Sequence, residues 1–456
     1  MPGDLHTMLD TSKTRPVEEI GPSLFRSLTP LFVVATAMIS GFAMMNSFGL
    51  IQQSAKSEMG LSDTVLGLVQ GVSVATQVTL FTIPIGRMAD RFNRVRLLFL
   101  LGVVWTVGTL LTAMAHDPWL LFAGRMLASI GGTGGWTTAL SLAADFGRSA
   151  ERGRTLLIVA LGKIMGQAAA FGLTGWLLGI FLHRAAPGWF AAIAPWRNAH
   201  YALAMFSLAL ILPLLFMREP ERRGVETSTN APLGTIAREL WSRRRLLIPL
   251  FIGCACIVMA DAAAAIWVSP VLSRNYGLSP EHFAGWMSAL VIAVGAAGAI
   301  IGGFVADWGR KSGLHGGILI GSVIASGVSI PAALFPVAPS APLYGLGFGL
   351  LLLCGMVANL VAQTATTVLI PNEARGLCIG ISITLASLMG FGVAPTLIAR
   401  VSILLGGELH LGQALAIVGT ANSVVSLVAF MLAKRHAGAT SGSAAPIANT
   451  TRREPS

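Results

Sequence analysis

The sequence predicts an all-α membrane protein with twelve transmembrane helices in two six-helix bundles. Of its 456 residues, 54% are hydrophobic and only 11% are charged, a balance that does not suit a soluble globular protein. About twelve apolar runs approach the ~20 residues that a helix needs to cross a hydrocarbon core of ~30 Å. A charged connector in the first half of the chain also recurs, in weaker form, in the second half.

The first element is the polar segment 1–30, which precedes all the apolar runs. It contains no short apolar stretch that ends at a small-residue cleavage site, so it does not resemble a secretory signal peptide. We therefore expect residues 1–30 to form a cytoplasmic segment and the first span to act as the insertion signal.

The apolar runs then follow in two sets of six, separated by a basic, proline-containing stretch. The first bundle is predicted over 31–217, with spans at 31–51, 64–85, 97–116, 119–143, 155–182 and 199–217. The second is predicted over 247–433, with spans at 247–271, 283–305, 316–337, 343–369, 377–405 and 411–433. Residues 218–246 are predicted as a cytoplasmic linker and residues 434–456 as a disordered cytoplasmic tail.

The distribution of the cations predicts the orientation of these spans. Most of the 31 Lys and Arg residues fall in the terminal segments and in the connectors that follow even-numbered spans. Only Lys56, Arg184, Arg197 and Arg274 fall in the opposite connectors. By the positive-inside rule, both termini are expected in the cytoplasm of a bacterial-type cell, with the protein in its inner (plasma) membrane. The same distribution accounts for the net charge of +11 without a nucleic-acid partner.

No pattern in the chain predicts catalysis or a bound cofactor. The four cysteines, Cys254, Cys256, Cys354 and Cys378, lie in apolar stretches without the spacing of a metal site or a disulfide framework. The glycine-rich sequence GGTGG at 131–135 lies within a span and does not join a strand to a helix, so it does not predict a phosphate-binding loop. We expect a non-enzymatic monomer with no metal or cofactor, embedded in the lipid bilayer, that binds a small-molecule substrate.

The repeated connector carries the strongest motif in the sequence. The stretch GRMADRFNR begins at residue 86, and its counterpart GGFVADWGRK begins at residue 302. These stretches resemble the loop signature of the major facilitator superfamily, and GRMLASIGG resembles the fourth-span motif of that family. GLSDTVLGLVQG, IPIGRMADRFNR and residues 145–154 are most similar to the spinster-like branch. The resemblance covers nearly all of residues 30–433, and it implies two six-helix bundles around a cavity that opens alternately to each side of the membrane.

Two interpretations of the charged connectors remain open. The arginines could serve only to anchor the loops in the cytoplasm. The resemblance instead implies that Asp90, Arg94 and Asp145 form a cytoplasmic charge cluster that stabilises one cavity state, while Gly86 permits close approach to the opposite bundle. The candidate gating residues are Gly86, Asp90, Arg91, Arg94 and Asp145, with Asp307 and Arg310 from the second copy.

Charged residues within the predicted spans are candidate substrate or coupling residues. Ionised groups at mid-membrane are costly and usually face a cavity or a partner. Lys163 is about eight residues, or ~12 Å, into the fifth span, and Asp261 is about fourteen residues, or ~21 Å, into the seventh. This difference in height argues against a direct ion pair between them. The alternatives are that Lys163 snorkels and that Asp261 lies near the outer interface. Arg125 lies in the family-like motif of the fourth span, and Gln167 follows Lys163 by one helical turn.

Uncharged polar residues form stripes on several spans, where they could simply join helices through hydrogen bonds. In the resembling family, spans one, four, seven and ten line the cavity. That resemblance implies substrate contacts for Thr133, Thr137, Asn359 and Gln363.

The chain also departs from the spinster-like pattern. Members of that branch usually carry an Asp-Arg pair where this chain has Met44 and Met45, and a Glu where it has Gly132. Their loss leaves Asp261 as the acidic residue placed to substitute in proton coupling.

The sequence as a whole predicts a secondary transporter of a small organic solute. Lys163 favours an organic anion, because a buried ammonium needs a counter-charge, water or a bound anion. A lipid or lysolipid carrier of spinster type is one alternative, favoured by Met44, Met45 and Gly132. A drug or metabolite exporter is another, although the fifth span lacks the Gly-Pro pair of drug-antiporter relatives.

Overall fold

The computed structural model describes residues 24–147, 151–183, 191–222, 233–314 and 316–440, and it is almost entirely helical over these ranges. The first half (24–222) contains α1 (Leu24–Asn46), α2 (Phe48–Met59), α3 (Asp63–Leu80), α4 (Thr82–Arg91), α5 (Arg94–Met114), α6 (Pro118–Asp145), α7 (Arg152–His183) and α8 (Pro195–Ile211). The second half (233–440) contains α9 (Leu233–Ser242), α10 (Arg244–Asn275), α11 (Pro280–Lys311), α12 (Ile320–Ala332), α13 (Ala341–Leu369), α14 (Asn372–Ser387), α15 (Ala394–Leu404) and α16 (Leu411–Thr440). Short 3-10 segments extend α8 over Leu212–Phe216 and flank α12 at Gly317–Leu319 and Phe335–Val337.

These helices confirm the predicted all-α fold of twelve spans. Ten helical segments of the described chain are long and apolar enough to cross a membrane, and α3 with α4, bent by 47°, forms an eleventh. The twelfth is the 28-residue α6, which is less apolar because it carries Arg125 together with several glycines, serines and threonines. The first predicted span corresponds to α1 plus α2, which are separated at Ser47.

The helices extend beyond several predicted boundaries. The helix α1 begins at Leu24 within the predicted terminal segment, and α16 continues to Thr440, past the predicted end at 433. The predicted linker contains the ten-residue α9. Hydropathy locates only the apolar part of a span, whereas a helix continues wherever its backbone remains hydrogen-bonded. The remaining parts of the predicted terminal segment, linker and tail, 1–23, 223–232 and 441–456, lie outside the described residues.

The eleventh span is interrupted by a π-helical turn over Leu388–Val393, between α14 and α15. Such turns contain an extra residue and often occur at functional sites. The turn packs closely on α3, because a Cβ added to Gly71 would overlap the carbonyl oxygen of Phe391. A little further along the same helices, Gly67 lies against the backbone of Pro395.

The two halves are joined at one end of the molecule and separated at the other. We call the end with the α2–α3 and α10–α11 loops the Lys56 end, and the end with the α4–α5 and α13–α14 loops the Asp90 end. The hydrogen bonds that join the described parts of the halves cluster at the Lys56 end. One example is the bond from Ser269 Oγ to the carbonyl oxygen of Leu50, at 2.8 Å. At the Asp90 end, a Cβ added to Gly86 or Gly303 would meet nothing within 4 Å. The structure is therefore a conformer closed at the Lys56 end.

Candidate functional site

A cavity of about 440 Å³ lies between the two halves. Four of the predicted substrate or coupling residues line it: Arg125, Lys163, Gln167 and Asp261. Its walls are mostly apolar and include the aromatic rings of Trp136, Phe171, Phe348 and Phe391. Charged groups placed at intervals on an apolar wall are typical of a small-molecule site, where a few polar groups fix the orientation of the ligand.

Arg125 is buried and is held mainly by backbone carbonyls. Its Nη1 donates to the carbonyl oxygen of Met44 at 3.3 Å, and its Nη2 donates to that of Met45. These carbonyls lie in the last turn of α1, where a helix leaves carbonyl groups without intrahelical partners. The guanidinium carbon also lies 5.4 Å from the ring centroid of Phe48. Arg125 therefore caps α1, and its buried Nε has no hydrogen-bond partner among the described residues.

Lys163 presents an ammonium group to the cavity without a carboxylate partner among the described residues. Its Nζ lies 5.0 Å from the ring centroid of Trp136 and 5.4 Å from that of Phe42. Aromatic faces stabilise a cation, but they leave its other hydrogen-bonding directions open. Gln167 lines the same cavity one turn along α7. The ammonium therefore lies over two aromatic rings at the cavity wall.

Asp261 supplies an unpaired carboxyl group from the opposite half. Its Oδ1 is buried and has no hydrogen-bond partner within the described chain. The carboxyl group packs so closely on α13 that a Cβ added to Gly355 would overlap it. No ion pair with Lys163 within 4.0 Å is found, as the difference in height predicts. The cavity thus carries two cations on the first half and one carboxyl group on the second.

The uncharged polar candidates do not join these charges. Thr133 and Thr137 of α6 donate to backbone carbonyls of their own helix, at 2.7 and 3.3 Å, and are not among the cavity-lining residues. The cavity face of α6 carries Arg125 and Trp136 instead. These two residues are eleven positions apart, which is about three full helical turns, so they lie on the same face of the helix. Asn359 and Gln363 line a separate cavity of about 210 Å³ within the second half. In this conformer none of these four residues lines the cavity between the halves, and their predicted substrate contacts stay predictions.

A charge cluster is present at the Asp90 end, but its membership differs from the prediction. Arg94 is 3% exposed, and its Nη1 lies 2.5 Å from Asp145 Oδ2. Its Nε lies 2.9 Å from Oε1 of Glu219, which takes the place predicted for Asp90. The Asp90 side chain is exposed, and its backbone carbonyl accepts a hydrogen bond from Arg222. Local sequence could not reveal Glu219, because it follows the sixth span and lies 125 positions from Arg94.

The remaining gating candidates make no comparable cluster. Arg91 is exposed at the end of α4. Asp307 and Arg310 form an exposed ion pair at 3.2 Å within one turn of α11. Exposed pairs of this kind contribute ~0–1 kcal/mol. The roles predicted for these residues and for Gly86 stay predictions, which concern contacts made when the Asp90 end closes.

Removing the buried acceptor of Arg94 should impair transport. We expect Asp145→Asn to lower the transport rate about tenfold or more, because the buried Arg94 then keeps only the carboxylate of Glu219, which is less buried than that of Asp145. Glu219→Gln should have a smaller effect, and the double variant should lose less than the sum of the single losses in free energy. Initial rates in vesicles, normalised to inserted protein, provide the measurement. Arg87→Ala, an exposed change on α4 at the same end of the molecule, is the control, and strictly additive losses would contradict coupling within the cluster.

A second charge cluster, at the Lys56 end, was not anticipated from the sequence. Arg274 lies 2.6 Å from Asp63 Oδ2, and Lys56 Nζ lies 2.7 Å from Asp63 Oδ1 and also contacts Glu408. Arg274 and Glu408 belong to the second half, so these contacts join the halves. Gln53 Oε1 accepts from Arg274 at 2.8 Å and extends the junction. Lys56 and Arg274 were exceptions to the positive-inside distribution, and this was the one signal that could have indicated the cluster.

Two helical halves, a repeated connector and a charged cavity between the halves together define the architecture of a membrane transporter. The sequence profile of the Major Facilitator Superfamily matches residues 33–395. The chain belongs to this superfamily, which confirms the predicted family and its association with transmembrane transport.

The names of individual relatives point to different substrates. The chain is 29% identical over 248 residues to the class H tetracycline resistance protein of Pasteurella multocida, covering 52% of this chain and 57% of that protein. It is 24% identical over 305 residues to the probable L-galactonate transporter of Escherichia coli, covering 63% of each. The matches to these relatives thus span about three-fifths of their length.

Solved structures share the fold over nearly the whole chain. The inward-facing, unoccupied structure of a bacterial homologue of the human lysosomal transporter Spinster has a TM-score of 0.73. It covers 92% of this chain and 98% of its own, at 20% identity. The predicted similarity to the spinster-like branch is therefore confirmed at the level of the fold.

Proposed function

We propose that this protein is a secondary transporter of small organic anions, which bind in the cavity between its two halves. The observation that carries the proposal is the ammonium of Lys163, which lines the cavity and has no carboxylate partner in the part of the chain that the structure describes. A mid-membrane cation of this kind is stabilised by water or by a bound anion. The cavity of about 440 Å³ falls within the range of small-ligand sites. A substrate carboxylate would meet Lys163 directly, and Gln167 would help to orient it.

The relatives support this substrate class without fixing it. L-Galactonate, named for the Escherichia coli relative, is a small carboxylate. The tetracycline resistance protein supports the alternative of a drug exporter. The alternative of a lipid or lysolipid carrier rests on the resemblance to the spinster-like branch and on Met44, Met45 and Gly132. Two cations and a carboxyl group on the cavity wall favour a polar substrate over a lysolipid, whose hydrocarbon tail would lie against them.

Transport by purified protein in proteoliposomes tests the proposal. The panel should contain small organic acids, neutral sugars, tetracycline and a lysolipid, each in radiolabelled form. We expect saturable transport of at least one organic acid, with competition by other carboxylates. Saturable transport of sugar, tetracycline or lysolipid in the absence of any organic-acid transport would contradict the proposal.

Asp261 is the proposed coupling residue, since it is an unpaired carboxyl group in the same cavity. We expect Asp261→Asn to abolish accumulation driven by a proton gradient while preserving exchange of substrate between the two sides, because the amide cannot carry a proton through the cycle. Accumulation and counterflow should be compared in the same vesicles. Asp117→Asn is a matched control, because asparagine caps a helix as well as aspartate does. Gradient-driven accumulation by Asp261→Asn would assign coupling to another group.

The proposed orientation places the Asp90 end in the cytoplasm and the protein in an inner membrane, on the basis of the cation distribution. We expect a reporter that is active only in the cytoplasm to function when fused after Thr440, where α16 ends. The same reporter should be inactive when the chain is truncated at Gly277, in the loop after α10. An inactive reporter after Thr440 together with an active reporter at Gly277 would show the opposite orientation.

A further inference from the structure

A second large cavity lies on the outer surface of the first half, away from the transport cavity. It has a volume of about 650 Å³ and is located where α5 begins and the sixth span ends. Its walls include Phe99, Leu100, Leu214 and Leu215. Leu100 and Leu215 are 57% and 56% exposed, although they belong to membrane-spanning segments. Hydrocarbon chains of the bilayer are the natural environment for such a wall.

The rim of this groove carries unneutralised positive charge. Arg96 and Arg218 line it, are exposed, and form no ion pair with another described residue. By contrast, the neighbouring Arg94 is bound by Asp145 and Glu219. The two free guanidinium groups thus lie at the end of an apolar groove, at the Asp90 end of the molecule. Guanidinium groups bind phosphate through paired, charge-assisted hydrogen bonds.

We propose that this groove binds an anionic phospholipid from the leaflet at the Asp90 end. The lipid phosphate lies between Arg96 and Arg218, and one acyl chain runs along Phe99, Leu100 and Leu215. The apolar wall distinguishes this site from a site for free phosphate, because free phosphate has no hydrocarbon chain that could pack against the wall. The headgroup is anionic because Glu219, the carboxylate lining the groove, is already bound to Arg94 and so does not meet an ammonium headgroup.

The position of the groove links it to the charge cluster at the Asp90 end. Arg218 directly precedes Glu219, and Glu219 joins the end of the sixth span to Arg94 at the start of α5. A phosphate held by Arg218 therefore restrains the segment that supplies one of the carboxylates to Arg94. The site does not depend on the proposed substrate, because all its walls belong to the first half and none lines the cavity between the halves.

The test measures the lipid retained by the full-length protein. The purified chain is equilibrated with micelles containing equal amounts of phosphatidylglycerol and phosphatidylcholine, and bound lipids are counted by native mass spectrometry. We expect retention of phosphatidylglycerol to exceed that of phosphatidylcholine by about tenfold, a difference of ~1.4 kcal/mol. The double variant Arg96→Ala/Arg218→Ala should lose this preference.

Two further arms separate the alternatives. The matched control Arg87→Ala/Arg154→Ala removes two exposed arginines at the same end but outside the groove, and it should keep the preference. Leu100→Ser/Leu215→Ser should weaken retention of the lipid in proportion to the lost apolar contact.

Equal retention in wild type and in Arg96→Ala/Arg218→Ala would overturn the proposal. So would displacement of the lipid by millimolar inorganic phosphate together with no effect of the leucine variant, since that result describes a phosphate site. Elution as a single species by gel filtration shows that each variant remains folded.

Discussion

Lys163→Gln is expected to weaken transport of an anionic substrate by about 10- to 100-fold, because hydrogen bonds to charged groups contribute ~1.5–3 kcal/mol. The loss should appear mainly as a higher apparent KM if Lys163 contacts the substrate equally in all states. Folding should be preserved, since the ammonium makes no ion pair within 4.0 Å with any described residue and lies over aromatic rings. Lys163→Arg should restore transport only in part, because the guanidinium is larger and planar.

The measurement is the initial rate of uptake against substrate concentration, with the amount of inserted protein determined in parallel. Lys311→Gln is the matched control, since it makes the same change at an exposed position at the end of α11. An unchanged apparent KM and maximal rate in Lys163→Gln would show that the lysine does not contact substrate, and would leave the charge of the solute open.

Arg274→Gln is expected to shift the protein away from the conformer closed at the Lys56 end. Asp63 is 1% exposed and receives two of its hydrogen bonds from Arg274, at 2.6 and 2.8 Å. Loss of one partner from a buried ion pair typically costs ~3–5 kcal/mol, which is enough to reverse a population ratio of about 10:1. The cost falls on this conformer alone, because Arg274 and Asp63 belong to different halves that separate when the Lys56 end opens.

Labelling from the Lys56 side detects the shift. A cysteine placed at Asn46, which lines the central cavity, should react with a membrane-impermeant maleimide faster in Arg274→Gln than in the parent, in a chain whose four native cysteines are replaced. Arg400→Gln provides the matched control, because Arg400 is exposed on α15 of the same half and the part of the chain described here gives it no ion pair. Equal labelling rates in parent and Arg274→Gln would show that the cluster does not hold this end closed.

Sequence was sufficient for the fold because hydropathy and charge repeat along the chain. Even the helix α6 was recognised as a span, although its glycines and Arg125 make it one of the less apolar helices. The failures of the prediction were local. The breaks at Ser47 and at 388–393 were missed, because the flanking apolar runs continue through both.

The candidate site was anticipated in part. Arg125, Lys163 and Asp261 stood out because a charge within an apolar span has few stable places other than a cavity. Thr133 and Thr137 do not line the cavity. A threonine hydroxyl group can donate its hydrogen bond to a carbonyl oxygen of its own helix, so its presence does not indicate which face of the helix points to the cavity. Glu219 and Arg274 joined clusters through contacts between distant segments, which a single sequence does not encode locally.

The π-helical turn in the eleventh span affects how this chain should be compared with its relatives. An α-helix advances by ~100° per residue, so one additional residue rotates everything beyond it by about that angle. A relative whose eleventh helix is regular must therefore be aligned with a one-residue gap inside 388–393. Without that gap, the positions of α15, which follow the turn, would be paired with residues that point in a different direction. Residues matched by sequence alone would then not occupy equivalent positions in the two structures.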